Sequence, residues 1–246
     1  AVGDAMSVTD PYPCAGEGRD GGLCVSRRAA CASLLSPLLA HAAGDAAPAP
    51  GGPRVEAQRL PAPGSYTLPR IHRCPDGGVL QTDGRALRLH AVLRGRISVL
   101  GFMYTYCRDP VGCPLAYRIM VATRDALMKD TALSAQSQLI SLSFDPTNDT
   151  PEQMRNYGHG QADPARVRWR FLTTASVPKL LPLLEGLGQD VSVETDARGK
   201  PTRTLNHLLK VFLIDPQLWV REIYSVATLD TAALVNDMKT VAGERG

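Results

Sequence analysis

The sequence predicts an α/β fold in which a central mixed sheet is covered by helices on both faces. Three observations point to it. Strand-like and helix-like segments alternate from Tyr66 onward, an order that demands crossover connections and places helices on the faces of the sheet. The segment Ile97–Tyr104 is apolar almost throughout, as expected of a strand buried on both sides. Thr150, Pro151 and Gln153 then mark a helix start with an N-cap, a proline at the first helical position and a capping-box partner.

In chain order, short strands are expected near Leu80–Gln81 and Leu87–Leu89, forming an N-terminal hairpin extension, and then the buried strand Ile97–Tyr104. A helix runs from Pro114 to about Leu133, because proline lacks only an N–H that a helix start leaves unpaired. A strand Gln138–Phe144 follows, then the helix opened by Thr150. Next come a strand Trp169–Leu172, a helix Val177–Leu187 and strands Val211–Ile214 and Val220–Tyr224. These last two are split by Asp215–Leu218 and read as a hairpin. A helix from Thr231 to about Val241 closes the chain.

The first sixty residues have a different composition. Arg27 and Arg28 precede an Ala- and Leu-rich stretch, Ala29–Ala40, followed by small residues around His41. That pattern predicts a secretory leader or, failing that, a disordered extension over 1–43. Residues 44–63, rich in Ala, Pro and Gly, read as a flexible linker, leaving 64–246 as the folded domain. The whole chain has 246 residues, 44% of them hydrophobic, and a formal charge of +3. No run of Lys or Arg suggests a nucleic-acid partner. Nor does any uninterrupted apolar stretch of roughly 18 residues predict a membrane-spanning helix.

The chemistry concentrates where the buried strand ends. Cys107 and Cys113 flank a five-residue loop, Arg108–Gly112, and Pro114 follows the second sulfur. This spacing places Cys113 near the cap of a helix, whose N-terminal field favours thiolate, with Cys107 facing it across the loop. Two such sulfurs can close a disulfide, attack one or hold a soft metal. If the leader is removed, Cys14, Cys24 and Cys31 leave with it, and Cys74 remains as a third thiol, expected to be a small buried hydrophobe. Asp145 is expected to end its strand and Asp149 to favour the helix start at Thr150; an acidic pair near the cysteines is the alternative. His41, His72, His90 and His159 fall in segments where a solvated or hydrogen-bonded imidazole is the default.

Four motifs in order, FMYTYC followed by CP, SFDPTNDTPEQM, WRFLT, and His207 ahead of LIDP, resemble the Sco/SenC family of thioredoxin-like, copper-binding proteins that help mature cytochrome c oxidase. The resemblance runs from about Tyr66 to the C-terminus. It implies a thioredoxin-like fold and a copper ion held by Cys107, Cys113 and His207, with His207 expected in the loop leading into Val211–Ile214. The chemistry agrees with the donor set, since Cu(I) favours thiolates and an added imidazole lets the site hold Cu(II). One departure is the loop of five residues between the cysteines, where the family usually has three; Pro110 and Gly112 are turn formers that help it fold back.

Three functions compete on these residues. The first is a copper metallochaperone that serves the copper-binding subunit of a respiratory oxidase and is reduced by a thiol reductant protein. It would act in the periplasm or on the outer face of the cytoplasmic membrane. The second is a thiol-disulfide oxidoreductase that uses Cys107 and Cys113 as an attacking and resolving pair, with His207 dispensable. The third, a peroxide-type or redox-sensing role through a sulfenic acid, has no separate support in the sequence.

Overall fold

The sheet is organised around strand β4 (Ile97–Met103), whose seven residues are all buried. β4 pairs in parallel with β5 (Ser137–Ser143), from Ile97 opposite Ser137 to Met103 opposite Ser143. β5 in turn pairs in parallel with β6 (Trp169–Leu172). On the other side of β4 runs β9 (Val211–Ile214), antiparallel, followed by β10 (Trp219–Tyr224) and the two-residue strand β1 (His72–Arg73). The order β1-β10-β9-β4-β5-β6 is the mixed sheet that crossovers on one side and a terminal hairpin on the other predict. The computed structural model describes residues 60–107, 112–161, 165 and 167–244. The expected leader, most of the expected linker and the loop positions 108–111 lie outside the described residues.

Alternation along each strand divides the core in two. Ile97, Val99, Leu139, Trp169, Phe171 and Leu213 face one side and pack with helices α2 (Gly112–Leu127) and α6 (Thr231–Gly243) through Met120, Leu127, Leu234 and Met238. Leu100, Phe102, Ile140, Leu142 and Phe212 face the other, against α1 (Leu89–Leu93) and α5 (Val177–Gly186) through Leu93, Leu180 and Leu183. Helices therefore cover both faces, as the sequence predicts. The hairpin of β2 (Gly78–Leu80) and β3 (Ala86–Arg88) supplies the expected N-terminal extension. It joins the sheet margin through a bridge between Leu80 and Thr173.

Three expectations need correction. The helix expected from Pro114 to Leu133 ends at Leu127, and a short helix α3 (Thr131–Gln136) begins after Asp130, whose carboxylate accepts from the Leu133 N–H. The aspartate N-cap is the physical cause of the break. Leu89, expected at the end of a strand, opens α1. A hairpin with no counterpart in the sequence reading joins α5 to β9: β7 (Val191–Thr195) and β8 (Pro201–His207). Its strands lie mostly exposed, so the apolar alternation that betrays a half-buried strand is missing. By contrast, α4 (Pro151–Tyr157) starts where expected, with the Thr150 hydroxyl accepting from the Gln153 N–H at 3.3 Å.

The fold is closed at its C-terminal margin by Arg221. Its guanidinium donates to Asp215, to both oxygens of Glu244 and to the carbonyls of Leu68 and Pro69. These bonds tie β10, the turn before it, the end of α6 and the entering chain together. Arg221 and Asp215 are only 5% and 1% exposed, so removing one partner leaves a buried charge without its counter-ion. Arg221→Met is expected to lower unfolding free energy by about 3 kcal/mol. Urea denaturation reads this directly, and an unchanged midpoint would refute the assignment.

Candidate metal and thiol site

Because β4 and β5 run parallel in register, the segments leaving their ends lie side by side. Thr105, Tyr106 and Cys107 leave β4, and Asp145 to Asp149 leave β5. Asp149 is fully buried and accepts from the Thr105 N–H at 3.2 Å, from the Thr105 hydroxyl at 2.5 Å and from the Ser143 hydroxyl at 2.5 Å. Asp145 accepts from the Tyr106 hydroxyl and from the Asn148 amide at 2.6 Å, and its other oxygen takes the Thr147 N–H. The two carboxylates thus hold the two residues that precede Cys107. The helix-start role expected of Asp149 gives way to this one, because Thr150 itself caps α4. Both aspartates are drawn to the cysteine end, which was the less favoured sequence reading.

Tyr104 stands at the centre of the site. Its phenol lies close enough to the Cys107 sulfur and to the Leu205 backbone on β8 to be influenced by both, and its ring lies edge-on to His207 with centroids 6.3 Å apart. Burial, first, and then the Cys107 and Cys113 sulfurs push its phenol well above the ordinary value. His207 is half-buried, with its ring 4.4 Å from that of Phe144 and Nδ1 3.3 Å from the Leu208 carbonyl. An Nδ1–H donated there puts the lone pair on Nε2, the arrangement suited to a ligating imidazole. His207 is the last residue of β8, where the sequence reading expected a loop.

Cys113 occupies the second position of α2 and is buried, while Cys107 is partly exposed. Cys107, Cys113 and His207 are therefore grouped around one tyrosine. Among the described residues, however, no three His, Cys, Asp or Glu side chains converge closely enough to hold a metal ion as they stand. Cys74 is elsewhere: it is buried, and burial, aided by Asp76, pushes its thiol up to about 12, the inert state expected of a small core residue. His72 lies in β1, His90 in α1 with Nε2 2.7 Å from the Cys74 carbonyl, and His159 in the turn after α4. None of these adjoins the cysteine pair. Sequence reasoning missed Tyr104 and Phe144, which look like ordinary strand residues; only their position one residue past the ends of β4 and β5 marks them.

The site also shapes the acid response. Burial holds Asp149 above the ordinary carboxylate range, outweighing the hydroxyl and N–H groups that donate to it. Asp145 lies below that range, because Tyr106, Asn148 and two backbone N–H groups outweigh its burial. A raised folded pKa means stability that is fully present below the unfolded value of about 3.9 and lost as pH rises through the folded value. Asp145 contributes in the opposite sense, its share being lost as pH falls below 3.9 or so. Relative to Asp149→Asn, which cannot ionise, the parent should therefore lose stability as pH rises from about 4. Paired unfolding curves between pH 3.5 and 7 check this, and a parent that gains on the variant over that range would overturn it.

No curated protein sequence matches the chain. Among solved structures, Arabidopsis thaliana ScoI with copper bound is similar at a TM-score of 0.56 and 16% identity, over 70% of this chain and 99% of that one. Bradyrhizobium japonicum ScoI, also with copper bound, gives 0.52 and 18% over 71% and 99%. BsSco, described as a Sco-family cytochrome c oxidase assembly protein with a disulfide switch, gives 0.55 and 20% over 72% and 98%. At these identities the likeness establishes the shared thioredoxin-like fold. The family model for SCO1/SenC matches residues 79–243, from the β2 strand through the whole cysteine end to the last turn of α6, and the chain belongs to the SCO1/SenC family.

Proposed function

We propose that this chain is a copper metallochaperone whose cargo is held by Cys107, Cys113 and His207. The observation that carries the reading is the grouping of these three side chains around Tyr104 in a SCO1/SenC chain. Two thiolates satisfy the soft Cu(I) ion, and the imidazole widens the site to Cu(II). The two cysteines rest on different supports. Cys107 hangs from a segment fixed by Asp145 and Asp149, and Cys113 is set in the first turn of α2. His207 arrives on an exposed hairpin that meets the sheet through Tyr104 and Phe144, so a small movement of β8 brings it to the sulfurs or takes it away. Ligand exchange through such a site passes the ion to the copper-binding subunit of a respiratory oxidase.

Before copper is bound, the Cys107–Cys113 disulfide is opened by exchange with a thiol reductant protein, whose own dithiol becomes a disulfide as it supplies the two electrons and two protons. Residues 1–43 act as an export leader and 44–63 as a linker, so that domain 64–246 works outside the cytoplasm, in the periplasm or on the outer face of the membrane. No helix among the described residues is long and apolar enough to cross a membrane. A second reading, thiol-disulfide oxidoreductase, is favoured by one observation. The Tyr104 phenol lies beside the Cys107 sulfur, where a hydroxyl donor can stabilise a departing thiolate.

Anaerobic copper titration of the reduced protein separates the two readings. Cys107→Ser and Cys113→Ser are each expected to abolish stoichiometric copper binding and thiol exchange together. His207→Ala should weaken Cu(II) by about tenfold or more, a loss of at least 1.4 kcal/mol, while the disulfide still forms. Copper binding unchanged by His207→Ala, alongside a readily cycled dithiol, would replace the chaperone with the oxidoreductase.

A further inference from the structure

At the opposite end of the sheet from the cysteines, three arginines come together, and among the described residues none of them forms an ion pair with a carboxylate. Arg96 immediately precedes β4, Arg168 precedes β6, and Arg170 lies within β6 opposite Ile140. Strand parity puts Arg168 and Arg170 on the face that carries Leu100, Ile140 and α1, and Arg96 enters that face two positions before Ser98. Leu139, on β5, takes its backbone partner from the Arg168 carbonyl at 2.8 Å, which fixes Arg168 beside Gln138. The guanidiniums are near enough for Arg168 to depress the pKa of both others, after burial as the larger cause.

The hydrogen-bond capacity of the cluster is only partly used. Arg96 donates to the Ala135 carbonyl at 2.8 Å and Arg170 to the Gln81 side-chain oxygen at 2.8 Å. The buried Arg170 Nε has no partner. Among the described residues no carboxylate forms an ion pair with any of the three. Buried N–H groups are nearly always satisfied, and clustered guanidiniums repel one another unless an anion lies between them. Guanidinium donors arranged in a fork match the oxygens of a phosphate group.

We propose that Arg96, Arg168 and Arg170 form a binding site for a phosphate-type oxyanion, at the end of the sheet remote from the cysteines. The run of β4 sets the two ends roughly 20 Å apart, so the site stands independently of the copper reading. A free phosphate and the headgroup of an anionic phospholipid present the same chemistry to it.

The test uses the whole chain and two probes: inorganic phosphate by calorimetric titration, and vesicles of phosphatidylcholine with or without phosphatidylglycerol by sedimentation. Arg168→Gln, exposed and cheap for the fold, and Arg170→Gln are each expected to weaken phosphate-type binding about tenfold. Arg198→Gln in the exposed turn between β7 and β8 carries the same charge change and should leave binding intact. Phosphate binding without vesicle association assigns a soluble phosphate; association only with phosphatidylglycerol vesicles, lost in the same two variants, assigns the lipid headgroup. Either supports the site. Failure of both probes, survival of binding in Arg168→Gln and Arg170→Gln, or an equal loss in Arg198→Gln would overturn it. Copper stoichiometry read on the same samples keeps this result separate from the fate of the cysteine site.

Discussion

The register in which β4 and β5 pair is the constraint on which the cysteine end depends. With Met103 opposite Ser143, the two residues after Tyr104 meet the carboxylates of Asp145 and Asp149, and the first sulfur follows at once. A slip of one residue would turn every side chain of β5 to the other face. It would take Ile140 and Leu142 out of one core and withdraw the acceptors from Thr105 and Tyr106. The burial that fixes the register therefore also fixes the position of Cys107. Packing of seven buried β4 residues between two sets of helices supplies that rigidity, because a close-packed core does not deform continuously.

Much of this was legible in the sequence where burial leaves a pattern. The runs that became β4, β5, β6 and β9 were found almost residue for residue, since continuous apolar segments bounded by turn residues have few other uses. The start of α4 was equally plain, because Thr150 and Pro151 each do a distinct local job. The leucines of α5 survived an internal Pro182 because the apolar face outweighs the local loss of a backbone bond. The breaks were harder. Asp130 caps α3 by one side-chain bond, a signal no stronger than many exposed aspartates give. In the β9–β10 turn, Leu218 adopts a φ of 71°, a conformation that favours glycine, and only its buried side chain explains why leucine stands there.

The candidate site divides along the same line. Cys107 and Cys113 were evident because their chemistry is written in residue type, whereas Tyr104, Tyr106 and Phe144 were hidden as strand and loop aromatics. Their roles come from which strand ends are neighbours, and that is a property of the fold. The β7–β8 hairpin was invisible for a related reason. It gains its form from cross-strand pairing and a turn in which Asp196 accepts from the Arg198 and Lys200 N–H groups, with little apolar surface to announce it. That is also why His207 was expected in a loop.

An exposed hairpin is a weak platform for a rigid metal ligand and a good one for a ligand that must let go. Cys107 and Cys113 sit on elements locked by burial and by buried carboxylates. β8 meets them through the His207 ring, which lies against the rings of Tyr104 and Phe144. On the reading proposed above, the imidazole at the end of β8 comes and goes without any change in the sheet. On the proposed reading, affinity for the cargo and readiness to release it fall to different parts of the fold: the sulfurs to segments anchored on the core sheet, the imidazole to a hairpin that lies mostly exposed.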